Sequence, residues 1–331
     1  MSTCVQKQAE IHRGELKKGD VLLTNHPSFG GTHLPDITAV TPHFHGENII
    51  FYVASRAHHA DIGGILPGSM PPASKEMSEE GAVIKSVKLV SEGKFDEETM
   101  VQLLLEEPAK TSGSSGTRCL RDNISDLKAQ VAANQKGINL LNSLIDEYSE
   151  EVVLFYMRAI QTNAENAVKN LLKKVSRRFE GRDLVAQDFM DDGTPIRLRV
   201  EIDKEKGTAV FDFEGTGPEM YGNLNSPEAV TFSAVIYCLR CLVSETIPLN
   251  QGCLKPITIK IPRGSLLSPY ETAAVVGGNV LTSQRVTDTI LRAFDAVAAS
   301  QGDCNNLTFG SGGKDPTTGR ISPGFGYYET V

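Results

Sequence analysis

The chain has 331 residues, a formal net charge of −8, 40% hydrophobic and 22% charged residues, which is typical of a soluble enzyme-sized protein with one large or two closely packed domains. No apolar run approaches the roughly 20 residues of a membrane span, and the first eight residues lack the apolar core of a secretory signal, so a cytoplasmic protein with no membrane contact is expected. The acidic balance and the lack of a basic stripe exclude nucleic acid as an expected partner.

The first third of the chain, assigned to 1–120, is predicted to be β-rich. Short apolar runs alternate there with Gly, Pro, Asn and His residues, which indicates strands joined by turns. These runs span 21–23, 37–40 and 49–53. The Pro- and Gly-rich stretch 65–78 predicts an irregular loop of functional interest, and 79–90 returns to a strand-like pattern.

Long helices are predicted in the centre of the chain, assigned to 121–182. Helix formers dominate 125–178, and apolar residues recur at helical spacing, which indicates two or more long helices. Gly137 is expected to mark a break or a tight turn. The expected N-cap residues are Asp122, Asn123 and Ser125.

The remaining segment, 183–331, is predicted to be a further α+β part. The pattern indicates an antiparallel hairpin followed by a buried helix, a strand and an amphipathic helix. Those elements are placed at 196–213, 232–243, 257–261 and 284–299. The last thirty residues are Gly-rich, and no element is assigned to them. The predicted fold class is therefore α+β, with a mixed β-sheet-rich N-terminal part, central long helices and a further α+β C-terminal part.

The histidines point to a metal site, because all seven lie in the first fifth of the chain. Two segments, 24–36 and 55–64, each place an aspartate three residues after a histidine and carry paired glycines. Imidazole with carboxylate suits Mn²⁺, Fe²⁺ or Zn²⁺, and glycine lets the backbone approach a bound ion closely. The two pairs are His33 with Asp36 and His58 with Asp61.

In a purely structural alternative, these histidines and aspartates cap turns and form hydrogen bonds with buried backbone groups. The glycines then only adopt positive φ angles. The spacing alone does not separate the two interpretations, but the occurrence of both segments favours metal. If 56–60 is extended, His58 shares a face with Arg56 while His59 points the other way. One of the adjacent histidines is then a ligand, with His58 preferred and His59 the alternate.

Three further motifs have ordinary explanations. The pair Cys238 and Cys241 has redox or zinc spacing, but it lies in an apolar helical pattern without a second pair, which favours core cysteines. The run 112–116 lacks the lysine of a phosphate-binding loop and indicates a linker. The glycines at 277–278 ahead of a helix form either an anion nest or, more commonly, a plain turn.

Five segments resemble the hydantoinase B/oxoprolinase family, and within it the C-terminal half of the eukaryote-type 5-oxoprolinases. They are TNHPSFGGTHLPD, ASRAHHADIGGILPGSMPP, RDNISDLKAQVAANQKGI, NLNSPEAVTFSAVIYCLRCLV and IPLNQGCLKPITIKIP. The resemblance implies ATP-dependent hydrolysis of the lactam 5-oxo-L-proline to L-glutamate in the glutathione cycle. It implies that ATP is bound by a separate or missing hydantoinase-A-like ATPase half. A homo-oligomer is also expected.

For the site, the resemblance implies a divalent metal held by Asp36, His58 and Asp61, with His33 and His59 as adjacent candidates, and catalytic roles for Asp61 and His59. The first three residues are predicted to converge in space. Two alternatives stay open. One is an N-methylhydantoinase or acetone-carboxylase-type subunit, and the other is an inactive scaffold fragment.

Overall fold

The computed structural model describes residues 1–68, 70–248, 250–315 and 317–330. Within these ranges the helices are α1 (Ser2–Ile11), α2 (Glu97–Val101), α3 (Leu120–Tyr148), α4 (Glu150–Arg178), α5 (Glu228–Leu242) and α6 (Ser283–Ala293). The strands are β1 (Val21–Thr24), β2 (Asp36–His45), β3 (Asn48–His58), β4 (Val87–Ser91), β5 (Lys94–Phe95), β6 (Leu184–Phe189), β7 (Pro195–Asp203), β8 (Thr208–Asp212), β9 (Ile257–Lys260), β10 (Asn306–Lys314) and β11 (Ile321–Thr330). The predicted α+β class is confirmed.

The N-terminal sheet has the strand order β3-β2-β1-β4-β5, and its β1, β2 and β3 pairings are antiparallel. The three predicted strands at 21–23, 37–40 and 49–53 are confirmed, although 79–90 forms a strand only from Val87 onwards. Helix α3 packs across β2 and β3. Buried aliphatic side chains of the sheet and of the first turns of α3, including Ile124 and Leu127, form one core.

Helix α3 corrects two predictions. It runs unbroken through Gly137, where an added Cβ would lie 2.9 Å from Cγ1 of Val53. The glycine therefore lets the helix approach β3 and does not interrupt it. The helix also begins at Leu120, before the expected N-cap residues, and its N-cap is Cys119 without a side-chain cap hydrogen bond.

The second sheet has the order β6-β7-β8-β9, with β8 and β9 parallel. The predicted hairpin at 196–213 is confirmed by β7 and β8. Helices α4, α5 and α6 contribute to its core, which contains the fully buried Phe211 and Phe213. Helix α6 ends at Ala293, earlier than predicted, and two residues later Asp295 adopts a left-handed φ of 48°.

The two cores are joined through a buried carboxylate. Glu80 is fully buried, and its carboxylate accepts hydrogen bonds from the backbone N–H groups of Val275 and Val276 and from the Ser74 hydroxyl. Burial raises the pKa of Glu80 to about 7 against these donors. The segment before α6 is thereby fixed to the N-terminal part.

The C-terminal hairpin, β10 with β11, covers the edge of the N-terminal part near residues 60–68. An added Cβ on Gly326 would lie 2.8 Å from Cβ of Asp61, and one on Gly310 would lie 2.6 Å from Cβ of Pro67. Small residues thus permit close contact here. No helix in the described ranges is long and apolar enough to cross a membrane, and all six cysteines are free.

Candidate metal centre

Strand pairing brings the two histidine segments together. In the register of β2 with β3, Asp36 lies directly opposite His58. Residues opposite each other in an antiparallel pair project to the same face, with Cβ atoms roughly 4.5–5.5 Å apart. Asp36 and His58 therefore project from adjacent positions to the same face of the sheet. Burial raises the pKa of Asp36, and the nearby Arg56 cation opposes that rise.

His33 completes a pair of imidazoles at this position. Its ring centroid is 5.2 Å from that of His58, and the ring planes are inclined by 31°. Within the described residues, both nitrogens of His33 and Nε2 of His58 are buried without a well-formed hydrogen bond, the Val276 backbone being only a weak partner of His33. An unpaired buried polar atom is costly, and a cluster of three calls for a functional explanation.

Both rings are held neutral. Burial lowers the pKa of His33 to about 3, with His58 adding to the shift and the Val276 backbone opposing it. Burial also lowers the pKa of His58 to about 4, to which His59 contributes. A neutral imidazole is the form that binds metals.

The C-terminal hairpin also contacts His58. Tyr328 stacks on its ring, with 4.0 Å between the ring centroids.

Asp61 has a different environment. Its Oδ1 accepts from the backbone N–H groups of Gly63 at 3.0 Å and Arg118 at 3.1 Å, and its Oδ2 accepts from the Gly68 N–H and Nη1 of Arg118, both at 3.1 Å. A carboxylate has about four lone-pair sites, and four donors occupy them. The side chains of Asp61 and Arg118 are 0% and 4% exposed. Burial raises the pKa of Asp61, while Arg118 opposes that shift.

His59 points away from His58, as the alternation rule predicted. Its Nδ1 is 3.0 Å from Nδ2 of Asn123, and its Nε2 is 3.5 Å from Oε1 of Gln130. Both partners lie on α3. Asn123 also donates to the Asp61 carbonyl at 3.0 Å. His59 is fully buried and links the end of β3 to that helix.

The predicted residues therefore fall into two groups. The first contains His33, Asp36 and His58, and the second places His59 and Asp61 against α3 and the residues just before it. In the part of the chain that the structure describes, no three His, Cys, Asp or Glu side chains already stand as a group that could hold a metal ion.

Sequence reasoning missed the residues that hold these groups in place. Arg118 donates to Asp61 and, through Nη2, to the Gly64 carbonyl at 3.2 Å. Gln130 donates to the Ile37 carbonyl of β2 at 3.0 Å. The available signal was the polar Gln130, three residues after Leu127 on the side of a predicted helix where the pattern otherwise requires apolar residues.

A family model described as hydantoinase B/oxoprolinase matches residues 1–331. The chain belongs to the hydantoinase B/oxoprolinase family. The family expected from the five sequence segments is thus confirmed.

Curated relatives of this family member include 5-oxoprolinases. The 5-oxoprolinase of Saccharomyces cerevisiae is 61% identical over 333 residues, which cover 100% of this chain and 26% of the relative. 5-Oxoprolinase 1 of Arabidopsis thaliana is 55% identical over 344 residues, with coverages of 100% and 26%. The chain spans about a quarter of the length of these relatives.

Solved structures with the same fold belong to larger enzymes. The ATP-dependent caprolactamase from Pseudomonas jessenii superimposes with a TM-score of 0.80 at 23% identity, covering 99% of this chain and 54% of that one. The nucleotide-free acetone carboxylase gives a TM-score of 0.75 at 16% identity, with coverages of 97% and 43%. These likenesses show the fold alone and confirm the hydantoinase-B-like architecture.

Proposed function

We propose that this chain holds a divalent metal ion with His33, Asp36 and His58, and that it opens the lactam ring in an ATP-dependent conversion of 5-oxo-L-proline to L-glutamate. The observation that carries the proposal is the pair of neutral imidazoles, His33 buried and His58 half-buried, whose buried nitrogens lack a well-formed hydrogen bond, with Asp36 opposite His58 in the strand register. The relatives named 5-oxoprolinase support the substrate.

A lactam is stabilised by resonance and is a poor electrophile, so ring opening requires activation. A bound divalent ion, whether Mn²⁺, Fe²⁺ or Zn²⁺, supplies Lewis-acid polarisation and activation of water. His33 and His58 would supply neutral nitrogen ligands to such an ion, and Asp36 would supply a carboxylate. Tyr328 of the C-terminal hairpin stacks on the His58 ring and covers one of its faces.

We propose positioning roles for Asp61 and His59 in place of the direct metal and catalytic roles predicted from the sequence. Asp61, with all of its acceptor sites used, fixes the turn from Gly63 to Gly68 against Arg118. His59 fixes the end of β3 to α3. The ends of the strands that carry Asp36 and His58 are thereby held at a constant separation.

Metal binding tests the ligand set directly. The purified chain is reconstituted with Mn²⁺, Fe²⁺ or Zn²⁺, and bound metal is measured by elemental analysis. His33→Ala, His58→Ala and Asp36→Asn should each weaken binding by at least about 10- to 100-fold. His43→Ala is the matched control, because His43 is a buried histidine of β2 that stacks on Phe51. Unchanged metal content in all three site variants contradicts the ligand set.

ATP coupling is proposed to need a hydantoinase-A-like ATPase half, either fused or separate. With that half added, the chain should release glutamate from 5-oxoproline together with ADP, and without it the release should be negligible. Parallel assays with hydantoin and with acetone test the alternative subunit types. We further propose that the protein is a homo-oligomer, which light scattering tests, and that it is located in the cytosol, which cell fractionation tests. The proposed reaction would place it in the glutathione cycle.

A further inference from the structure

Helices α3 and α4 meet at an end that lies outside both hydrophobic cores. Only Ser149, with a φ of 74°, separates the last residue of α3 from the first residue of α4. No residue from 139 to 163 is buried, and neither core contains a residue of this range. The folded chain therefore leaves the adjoining ends of the two helices uncovered.

Exposed apolar side chains cover these uncovered turns. Most of them are four residues apart on their helix, so each helix presents them as a stripe along one side. Their exposed fractions lie between 38% and 62%. The set, which we call the hairpin patch, is Leu140, Leu144, Tyr148, Val152, Phe155, Tyr156 and Ile160.

The hairpin patch has the area of a stable interface. Its seven side chains are each about half exposed, and side chains of this size have roughly 150–250 Å² of surface, so roughly 600–700 Å² of apolar surface is exposed. The largest apolar patch of a typical monomer is about 300–600 Å². A standard interface buries about 800 Å² per partner. The patch thus exceeds the first area and supplies most of the second.

One edge of the α4 stripe carries two opposite charges. Glu151 and Arg158 are both exposed and lie on the same side of the helix, two turns apart, with Phe155 between them. The ion pairs that α4 forms within the described residues use other side chains, namely Glu150, Glu165, Lys169 and Arg178. Glu151 and Arg158 are therefore available to a partner.

The order of these two charges is complementary to itself in the antiparallel direction. When two copies of a helix pair antiparallel about a two-fold axis, flanking positions on one side face the same flank of the copy in reverse order. With the axis close to Leu154, Glu151 faces Arg158 of the copy, and symmetry repeats the pair. In a parallel pair Glu151 would face Tyr156 of the copy, and no ion pair would form.

We propose that a second copy of this chain covers the hairpin patch, with the two α4 helices antiparallel about a two-fold axis near Leu154. Val152 of each copy packs on Phe155 of the other, and two pairs of Glu151 with Arg158 close the edge of the contact. The inference rests on the proposed homo-oligomer and names its interface. It is independent of the metal and lactam assignments.

Charge reversal tests the antiparallel arrangement. Sedimentation velocity on the purified chain measures the dissociation constant of the dimer. Glu151→Arg and Arg158→Glu, made singly, each replace two attractive pairs with two repulsive ones and should weaken the dimer about 10- to 100-fold. An equal mixture of the two variants restores both attractive pairs and should associate as tightly as the wild-type chain. The double variant should also recover wild-type affinity.

Two further variants complete the test. Arg177→Glu is the matched control, because it makes the same change at an exposed position of α4, 19 residues beyond Arg158, and it should leave the dissociation constant unchanged. Phe155→Ser should weaken the dimer by about 100-fold, since it removes a central aromatic anchor. Far-ultraviolet circular dichroism reports whether each variant has kept its fold.

The outcomes separate this interface from the homo-oligomer itself. A wild-type chain that stays monomeric at about 100 μM refutes both. A wild-type dimer that neither charge variant weakens, or a mixture of the two variants that fails to associate, refutes the interface and leaves the homo-oligomer standing. If Phe155→Ser abolishes binding of an added hydantoinase-A-like half but leaves the dimer intact, the patch belongs to that half and the proposal is overturned.

Discussion

The substitution Asp61→Asn separates a positioning role from a ligand role. The amide keeps the shape of the carboxylate but replaces one acceptor oxygen with a donor. Two of the four N–H groups now bound by Asp61 then face an N–H₂ group, and Arg118 loses its counterion. An unsatisfied buried donor costs about 1–3 kcal/mol, and removing one partner of a buried ion pair costs about 3–5 kcal/mol. The expected loss in the free energy of unfolding is therefore about 3–5 kcal/mol.

Urea unfolding at pH 7 measures this loss. The control is Asp183→Asn, the same chemical change in a surface pair whose Arg199 and Asp183 side chains are 57% and 39% exposed, for which about 0–1 kcal/mol is expected. Adding Arg118→Met to Asp61→Asn should recover part of the stability, since the unpaired cation is removed. A loss below about 1 kcal/mol together with abolished metal binding refutes the positioning role and restores Asp61 as a ligand.

Three other perturbations have defined outcomes. Gly137→Ala should change the free energy of unfolding little, because a helix-propensity gain of about 1 kcal/mol offsets the cost of the close contact with Val53. In a Val53→Ala background the contact is gone, so the same substitution should raise the free energy of unfolding in urea by about 1 kcal/mol. The folded-state pKa of Glu80 is about 7, above its unfolded value, so the stabilisation from its protonated form is complete below about pH 4. As the pH rises towards 7, the free energy of unfolding should fall by up to about 1.4 kcal/mol per pH unit. Glu80→Gln should flatten this dependence of the unfolding free energy on pH, and an unchanged slope contradicts the reasoning. Gly326→Val should displace the hairpin from Asp61, seen as faster amide hydrogen exchange in β10 and β11, and unaltered exchange rejects the contact.

The sequence predicted elements well where burial follows a regular period. The alternation rule predicted that His58 and His59 point to opposite sides, and although β3 ends at His58, the two rings do have separate neighbours, His33 beside one and Asn123 beside the other. The α+β class followed from the same kind of pattern. Local periodicity reports which face of an element is buried, and this information is enough to orient neighbouring side chains.

What the sequence failed to predict depends on contacts between distant residues. Gly137 was predicted to break a helix, yet its role is set by Val53, which lies 84 positions earlier. The C-terminal hairpin was not predicted, because its glycines serve close packing on residues near Asp61 and hide the strand pattern. A glycine has the same letter in a turn and at a tight contact, so only the fold distinguishes the two.

The same reasoning explains why the two His-x-x-Asp segments, which are equivalent in sequence, differ in environment. In the first segment the aspartate is the first residue of β2, so the sheet register carries Asp36 to a position opposite His58. In the second segment the histidine is the last residue of β3, and Asp61 lies three residues beyond the strand. There the chain has left the sheet, and its free backbone N–H groups need an acceptor, which Asp61 supplies. The position of the strand end relative to each motif thus decides which aspartate accepts from the backbone N–H groups beyond the strand, and the spacing within the motif does not indicate it.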